Sequence, residues 1–233
     1  MKKTILLTCA LTVGYLSIYA QQNPGLDSRK SCTMIYASDG NMTLAGNNED
    51  WTNPFPIIWF LPAEDGKFGR MFIGSQNDFE GGMNEKGLFF DGASAEDVEV
   101  PYDPKKRDYK GSLIEKATEE CSSVDEVLKL FSEYNCAGKW NGQMLVGDRF
   151  GNSAIIEPLT FIRKTGKFQV VTNFLQSKTD PETSKDVRYR LASDLFKKLT
   201  LSRLTFSVTF WMMFTSKITE VHGVLPFIRI SAT

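Results

Sequence analysis

The sequence predicts an α+β domain with mainly antiparallel strand pairing. Three observations carry that prediction: short apolar strand segments set between turn residues, two capping boxes that open helices in mid-chain, and strands that resume after them. In chain order, Cys32 to Ser38 and Met42 to Gly46 form a hairpin about the turn chemistry of Asp39-Gly40-Asn41. Further strands are expected at Ile57 to Leu61, Arg70 to Ile73, Leu88 to Asp91, Gln143 to Gly147, Ala154 to Glu157 and Phe168 to Thr172. Asp65-Gly66, Arg149-Phe150-Gly151 and Thr165-Gly166-Lys167 supply turns between them. Ser112-Leu113-Ile114-Glu115 and Ser123-Val124-Asp125-Glu126 place a hydroxyl and, three residues on, a carboxylate where each helix begins. Val127, Leu128, Phe131 and Tyr134 follow the second cap at helical spacing, and a third helix is expected from Asp186 to Lys198. Glu119 and Glu120 read as surface charges on an amphipathic helix, and Trp51, Trp59 and Phe60 as core or cleft wall.

The chain divides into four parts. Residues 1–20 read as a secretory signal, with Lys2 and Lys3 ahead of an apolar run that closes at Ala20. Residues 21–31 are polar, contain Asn23-Pro24-Gly25, and read as a pro-segment or linker. Residues 32–200 form the domain, and residues 201–233 an atypical apolar tail whose run of about ten apolar residues is too short to span a bilayer. The expected location is secreted or periplasmic, with no integral membrane span. Export removes Cys9 and leaves Cys32, Cys121 and Cys136. An odd number in an oxidising compartment leaves at least one thiol outside an intramolecular bridge. Cys121 and Cys136 are close enough in sequence to bridge a helix to the loop after it; the other reading makes all three small buried hydrophobes.

Composition excludes several chemistries. With 27 Lys and Arg against 28 Asp and Glu in 233 residues, no global charge attracts nucleic acid. His222 is the one histidine, so a multi-histidine zinc site is impossible and a general base other than histidine is expected. There is no phosphate loop and no metal-ligand spacing, so no cofactor and no metal are expected.

Cys32-Thr33 opens the hairpin and Gly46-Asn47-Asn48-Glu49-Asp50-Trp51 closes it, so the two segments lie side by side. A cut between Ser31 and Cys32 would give Cys32 both a thiol and an α-amine, with reference pKa values of about 8.5 and about 7.7–8.0. The amine can then accept the thiol proton near neutral pH without a histidine. Asp50 would hold the amine, and asparagine N–H groups would stabilise the oxyanion of an attacked amide.

Cys32-Thr33 followed by Gly46-x-Asn48-x-Asp50-Trp51 resembles the N-terminal-nucleophile cysteine hydrolases, which include bile salt hydrolases, penicillin V acylases and acid-ceramidase-like amidases. Gly82-Met83-Asn84-Glu85-Lys86-Gly87-Leu88 is similar to a second segment of that family, and Val171-Thr172-Asn173 to a third. The resemblance implies a four-layer αββα sandwich, self-cleavage that exposes the cysteine, and hydrolysis of linear amide bonds in small N-acyl compounds. By position it makes Cys32 the nucleophile, Asp50 the residue that orients the amine and Asn173 an oxyanion donor, with Arg188 as candidate for the family's later arginine. Asn47, Asn48, Trp51 and Ser94 fall where substrate is contacted. Two departures stand out: Asn47 replaces an arginine of bile salt hydrolases, and Ser94 replaces an asparagine, which points away from bile salts. Family members are longer, so the C-terminal strands of the sandwich are expected to be incomplete. A cysteine dipeptidase or acyltransferase of the same superfamily, and a non-catalytic secreted binding protein on the same fold, are the alternatives; a homo-oligomer fits any of them.

Overall fold

The computed structural model describes residues 32–49, 56–75, 78–198 and the backbone of 228–230. Expectations for residues 1–31 and for most of the tail lie outside the described residues, as do Asp50 and Trp51. The strands are β1 (Thr33–Ser38), β2 (Thr43–Asn48), β3 (Ile57–Leu61), β4 (Arg70–Ser75), β5 (Asp78–Asn84), β6 (Phe89–Val100), β7 (Gly138–Gly147), β8 (Ser153–Glu157), β9 (Thr160–Arg163), β10 (Phe168–Val171) and β11 (Ile228–Ile230). The helices are α1 (Leu113–Glu120), α2 (Val124–Glu133) and α3 (Val187–Lys198). Among the described residues they form two antiparallel sheets, in the orders β10-β1-β2-β11 and β3-β4-β5-β6-β7-β8-β9.

Alternation along the strands turns these sheets into layers. In β1, Met34 and Tyr36 join Phe89 and Ala93 of β6 and Leu145 of β7 in one core between the sheets. The intervening Ile35 and Ala37 face the other way and pack with Phe196 of α3. On the far side of the larger sheet, Phe90 and Val146 pack with Ala117 of α1 and Val127 and Phe131 of α2. The order is therefore helix, sheet, sheet, helix. The central layer is close-fitting: a Cβ on Gly147 would lie 2.2 Å from the ring of Tyr36.

Local chemistry fixes the helix starts as expected. Ser112 Oγ accepts the Glu115 N–H and Ser123 Oγ that of Glu126. Asp148, wholly buried on the turn after β7, accepts the Val124 N–H and ties α2 to the larger sheet. The Asn84 side chain does comparable work at the β5–β6 turn. Its Oδ1 accepts the N–H groups of Lys86 and Leu88, and its Nδ2 donates to the carbonyls of Thr118 and Cys121 at the end of α1. Gly87 completes that turn at φ 81°, a conformation that favours glycine.

Three expectations are corrected and one strand is added. Strand β5 carried no expectation of its own; it runs through Gly81 and Gly82, where a side chain does not fit, into the turn at Glu85 and Lys86. A Cβ on Gly81 would meet the Asp91 carboxylate at 2.6 Å, and one on Gly82 the Met71 carbonyl at 2.4 Å. Glu119 is buried, not a surface charge; Arg70 Nη2 reaches its Oε1 at 2.7 Å and Lys67 Nζ at 2.8 Å. Phe60 is exposed, whereas its neighbour Trp59 packs on Phe72. Cys121 and Cys136 form no bridge and pack against the same core, where burial pushes the Cys121 thiol up to about 11. The tail contributes more than expected: Ile228–Ile230 pairs with Thr43–Ala45 as an edge strand.

Candidate active site

Register places the site. Thr33 is paired with Asn48 across β1–β2, and Met34 with Val171 across β1–β10. One step past Thr33, Cys32 therefore stands across from Glu49 on one side; two steps past Met34, it stands across from Asn173 on the other. Cys32 shares a strand face with Met34 and Tyr36, so its side chain enters the layer between the sheets, where the residue is 4% exposed. Asn47 and Glu49 have the parity of Ala45, which lies in that layer, while Asn48 has the opposite parity. On the facing sheet, Asp91 sits between the inward residues Phe89 and Ala93 of β6.

The hydrogen bonds join these residues into one cluster. The Cys32 thiol donates to Glu49 Oε1 at 2.9 Å. Asn47 Nδ2 donates both to Glu49 Oε2 at 2.6 Å and to Asp91 Oδ1 at 2.9 Å, so one amide spans two carboxyl groups from opposite sheets. Burial, and secondarily the Glu49 carboxylate, holds the Asp91 carboxyl well above the usual carboxylate range. Both causes disfavour the charged form of Asp91 beside Glu49. Asn47 Oδ1 is buried without a partner among the described residues.

Arg188 approaches from the smaller sheet's outer helix. It lies in the first turn of α3, whose start is capped by Asp186 Oδ1 accepting the Tyr189 N–H. The other Asp186 oxygen holds Arg188 Nη2 at 2.9 Å. Arg188 Nη1 then donates to the Cys32 carbonyl at 2.8 Å and to Asn173 Oδ1 at 2.9 Å. Asn173 in turn donates from Nδ2 to the Ser94 carbonyl at 2.8 Å and, more loosely, to Ser94 Oγ at 3.3 Å. Beside this corner, Gln143 of β7 clamps the carbonyls of Thr172 and Phe174, which fixes the backbone on both sides of Asn173.

Of the residues singled out in the sequence, Cys32, Asn173, Arg188 and Ser94 form one connected group, and Asn47 joins it through Glu49. Asn48 lies on the other face of β2 by alternation. Glu49 and Asp91 were not singled out. The signal for Glu49 was available in the hairpin, because residues two apart share a face and the register that pairs Thr33 with Asn48 sets Glu49 across from Cys32. Asp91 carries no local signal; its role depends on a contact 44 residues away in sequence. The ligand-forming side chains described include no group of three or more that could hold a metal ion.

No protein-family model matches the chain, and neither does any curated protein. Solved structures are similar to it at low identity. A variant of conjugated bile acid hydrolase from Clostridium perfringens is 20% identical over 72% of this chain and 58% of its own, with a TM-score of 0.48. Penicillin V acylase from Agrobacterium tumefaciens is 17% identical over 63% of this chain and 54% of its own, with a TM-score of 0.49. The Caenorhabditis elegans ortholog of N-acylethanolamine-hydrolyzing acid amidase is 14% identical over 64% of this chain and 74% of its own, with a TM-score of 0.42. The chain thus spans less than two thirds of the length of the first two.

Proposed function

We propose that the chain is an exported cysteine amidohydrolase of the N-terminal-nucleophile class, matured by self-cleavage between Ser31 and Cys32, that hydrolyses linear amide bonds of small N-acyl compounds through a thioester. The observation that carries this reading is the convergence on Cys32. A thiol at the start of β1 is bracketed by Glu49 and Asn173 from the two neighbouring strands, and Arg188 ties its carbonyl to Asn173. The motif resemblance along Cys32, Gly46–Trp51 and Asn173 supports it independently.

In the mature protein the freed α-amine takes the Cys32 proton, and the sulfur attacks the acyl carbonyl. Charge then develops on the carbonyl oxygen. Asn173 Nδ2 is a side-chain amide donor held in place for it, and its 3.3 Å contact to Ser94 Oγ is the weaker of its two bonds, the one an oxyanion can displace. Arg188 keeps Asn173 oriented by occupying Oδ1. The α-ammonium protonates the leaving amine, and water, activated by the same amine, releases the acid. Asp50 is assigned to hold the amine, and Trp51 to line the acyl cleft; the reading includes no cofactor, metal or nucleic acid.

The test is a substrate panel of phenoxymethylpenicillin and N-acyl amino acids, assayed with wild type, Cys32→Ser and Cys32→Ala. Acid-quenched wild type should carry the acyl mass on the peptide that contains Cys32. Turnover that survives Cys32→Ala would overturn the proposal.

A further inference from the structure

We propose that Glu49 is the base that takes the Cys32 thiol proton in the uncut chain, and so starts its maturation. The inference rests on the self-cleaving reading above, and it addresses a gap in that chemistry. Before cleavage the nitrogen of Cys32 is a peptide amide, which is no base, so the amine that serves turnover cannot serve the first cut. The structure supplies a different acceptor. The thiol already donates to Glu49 Oε1 at 2.9 Å, and the hairpin register, not a flexible side chain, sets that approach.

The surroundings suit a base. Asn47 Nδ2 holds the second Glu49 oxygen at 2.6 Å, fixing the carboxylate while leaving Oε1 on the thiol. Among the described residues, Asp91 is the second carboxyl held by Asn47, and its burial disfavours a second charge beside Glu49. Glu80 of β5 acts on Asp91, and Arg188, paired with Asp186, donates to the Cys32 carbonyl.

The step balances as follows. Cys32 Sγ adds to the Ser31 carbonyl carbon as its proton passes to Glu49. The carbon–nitrogen bond to Cys32 breaks, and Glu49 returns that proton to the departing nitrogen, leaving a free α-amine and a thioester between Ser31 and Cys32. Water then cleaves the thioester, its hydroxyl joining the Ser31 acyl group and its proton returning to sulfur.

The experiment follows the purified full chain by intact mass over time, for wild type, Glu49→Gln, Glu49→Asp and Cys32→Ala. In parallel, the uncut chains are alkylated with iodoacetamide at fixed pH. Losing the base should slow cleavage by about 100-fold or more in Glu49→Gln, with Glu49→Asp intermediate. Alkylation should move the other way. A carboxylate against a thiol disfavours the thiolate, so Glu49→Gln should alkylate about tenfold faster near neutral pH. Slower cleavage with faster alkylation separates a base from a merely structural contact, which would move neither rate in this pattern. Cleavage of Glu49→Gln at the wild-type rate overturns the role of Glu49 while leaving self-cleavage intact. A wild-type chain that never cuts overturns the self-cleaving reading and the base role with it, whatever alkylation shows.

Discussion

Replacing Asn84 by alanine should cost more stability than any single loop residue of its size normally does. The side chain is 2% exposed and makes four hydrogen bonds: it accepts from Lys86 and Leu88 and donates to the carbonyls of Thr118 and Cys121. Lys86 is exposed, so water can replace the bond to its N–H. The Leu88 N–H and the two carbonyls belong to buried residues and are left short of a partner. At about 1–1.5 kcal/mol for each, the loss is about 3–4 kcal/mol. That is a large share of the roughly 5–15 kcal/mol by which a domain is usually stable. For a chain of this size it corresponds to a fall in Tm of about 10 °C. Asn84→Asp is the sharper variant. It keeps Oδ1 for the two N–H groups but turns a lone pair towards the two carbonyls, so at neutral pH it should be worse than alanine. Its deficit should shrink in acid, where a protonated carboxyl regains one donor. Urea titration followed by tryptophan fluorescence measures both. A loss below about 1 kcal/mol for Asn84→Ala, or an aspartate variant more stable than alanine at pH 7, would refute the reasoning.

Three further outcomes follow from the same geometry. Arg188→Met should lower kcat about 100-fold by freeing Asn173, and Arg188→Lys should recover little of it, because one ammonium cannot reach the Cys32 carbonyl, Asn173 and Asp186 together; steady-state kinetics on the preferred amide decide this. The buried Asp91 carboxyl titrates above its unfolded value, so its contribution is fully present below the unfolded carboxylate range and is lost as pH rises through the folded value. Asp91→Asn should therefore flatten the pH dependence of stability and gain on wild type towards alkaline pH, which denaturation at a series of pH values checks. Gly147→Ala should destabilise by about 1–3 kcal/mol, since its Cβ would lie 2.2 Å from the Tyr36 ring; thermal unfolding reads the loss.

Much of the architecture was legible because it is written in local chemistry. Ser112 and Ser123 cap where a capping box says they should, and the hairpin about Asp39 to Asn41 follows from turn residues between apolar runs. What escaped was chemistry set by distant neighbours. Strand β5 carried no local signal, yet Gly81 and Gly82 are small because Asp91 and Met71 press on them from the adjacent strands. Glu119 looks solvated until Arg70, 49 residues away, is brought beside it. The site divides the same way. Cys32 and Asn173 stood out by motif, and Arg188 as the candidate for the family's later arginine, but Glu49 is visible only once register is counted residue by residue.

The most direct test is the N-terminus of the purified protein, read by intact mass and N-terminal sequencing beside Cys32→Ala. The account predicts a mature chain that begins at Cys32 in the wild type and an uncut junction before position 32 in the variant. A wild-type chain that begins at Gln21 yet hydrolyses amides, or a Cys32→Ala chain cut at the same bond, would contradict it.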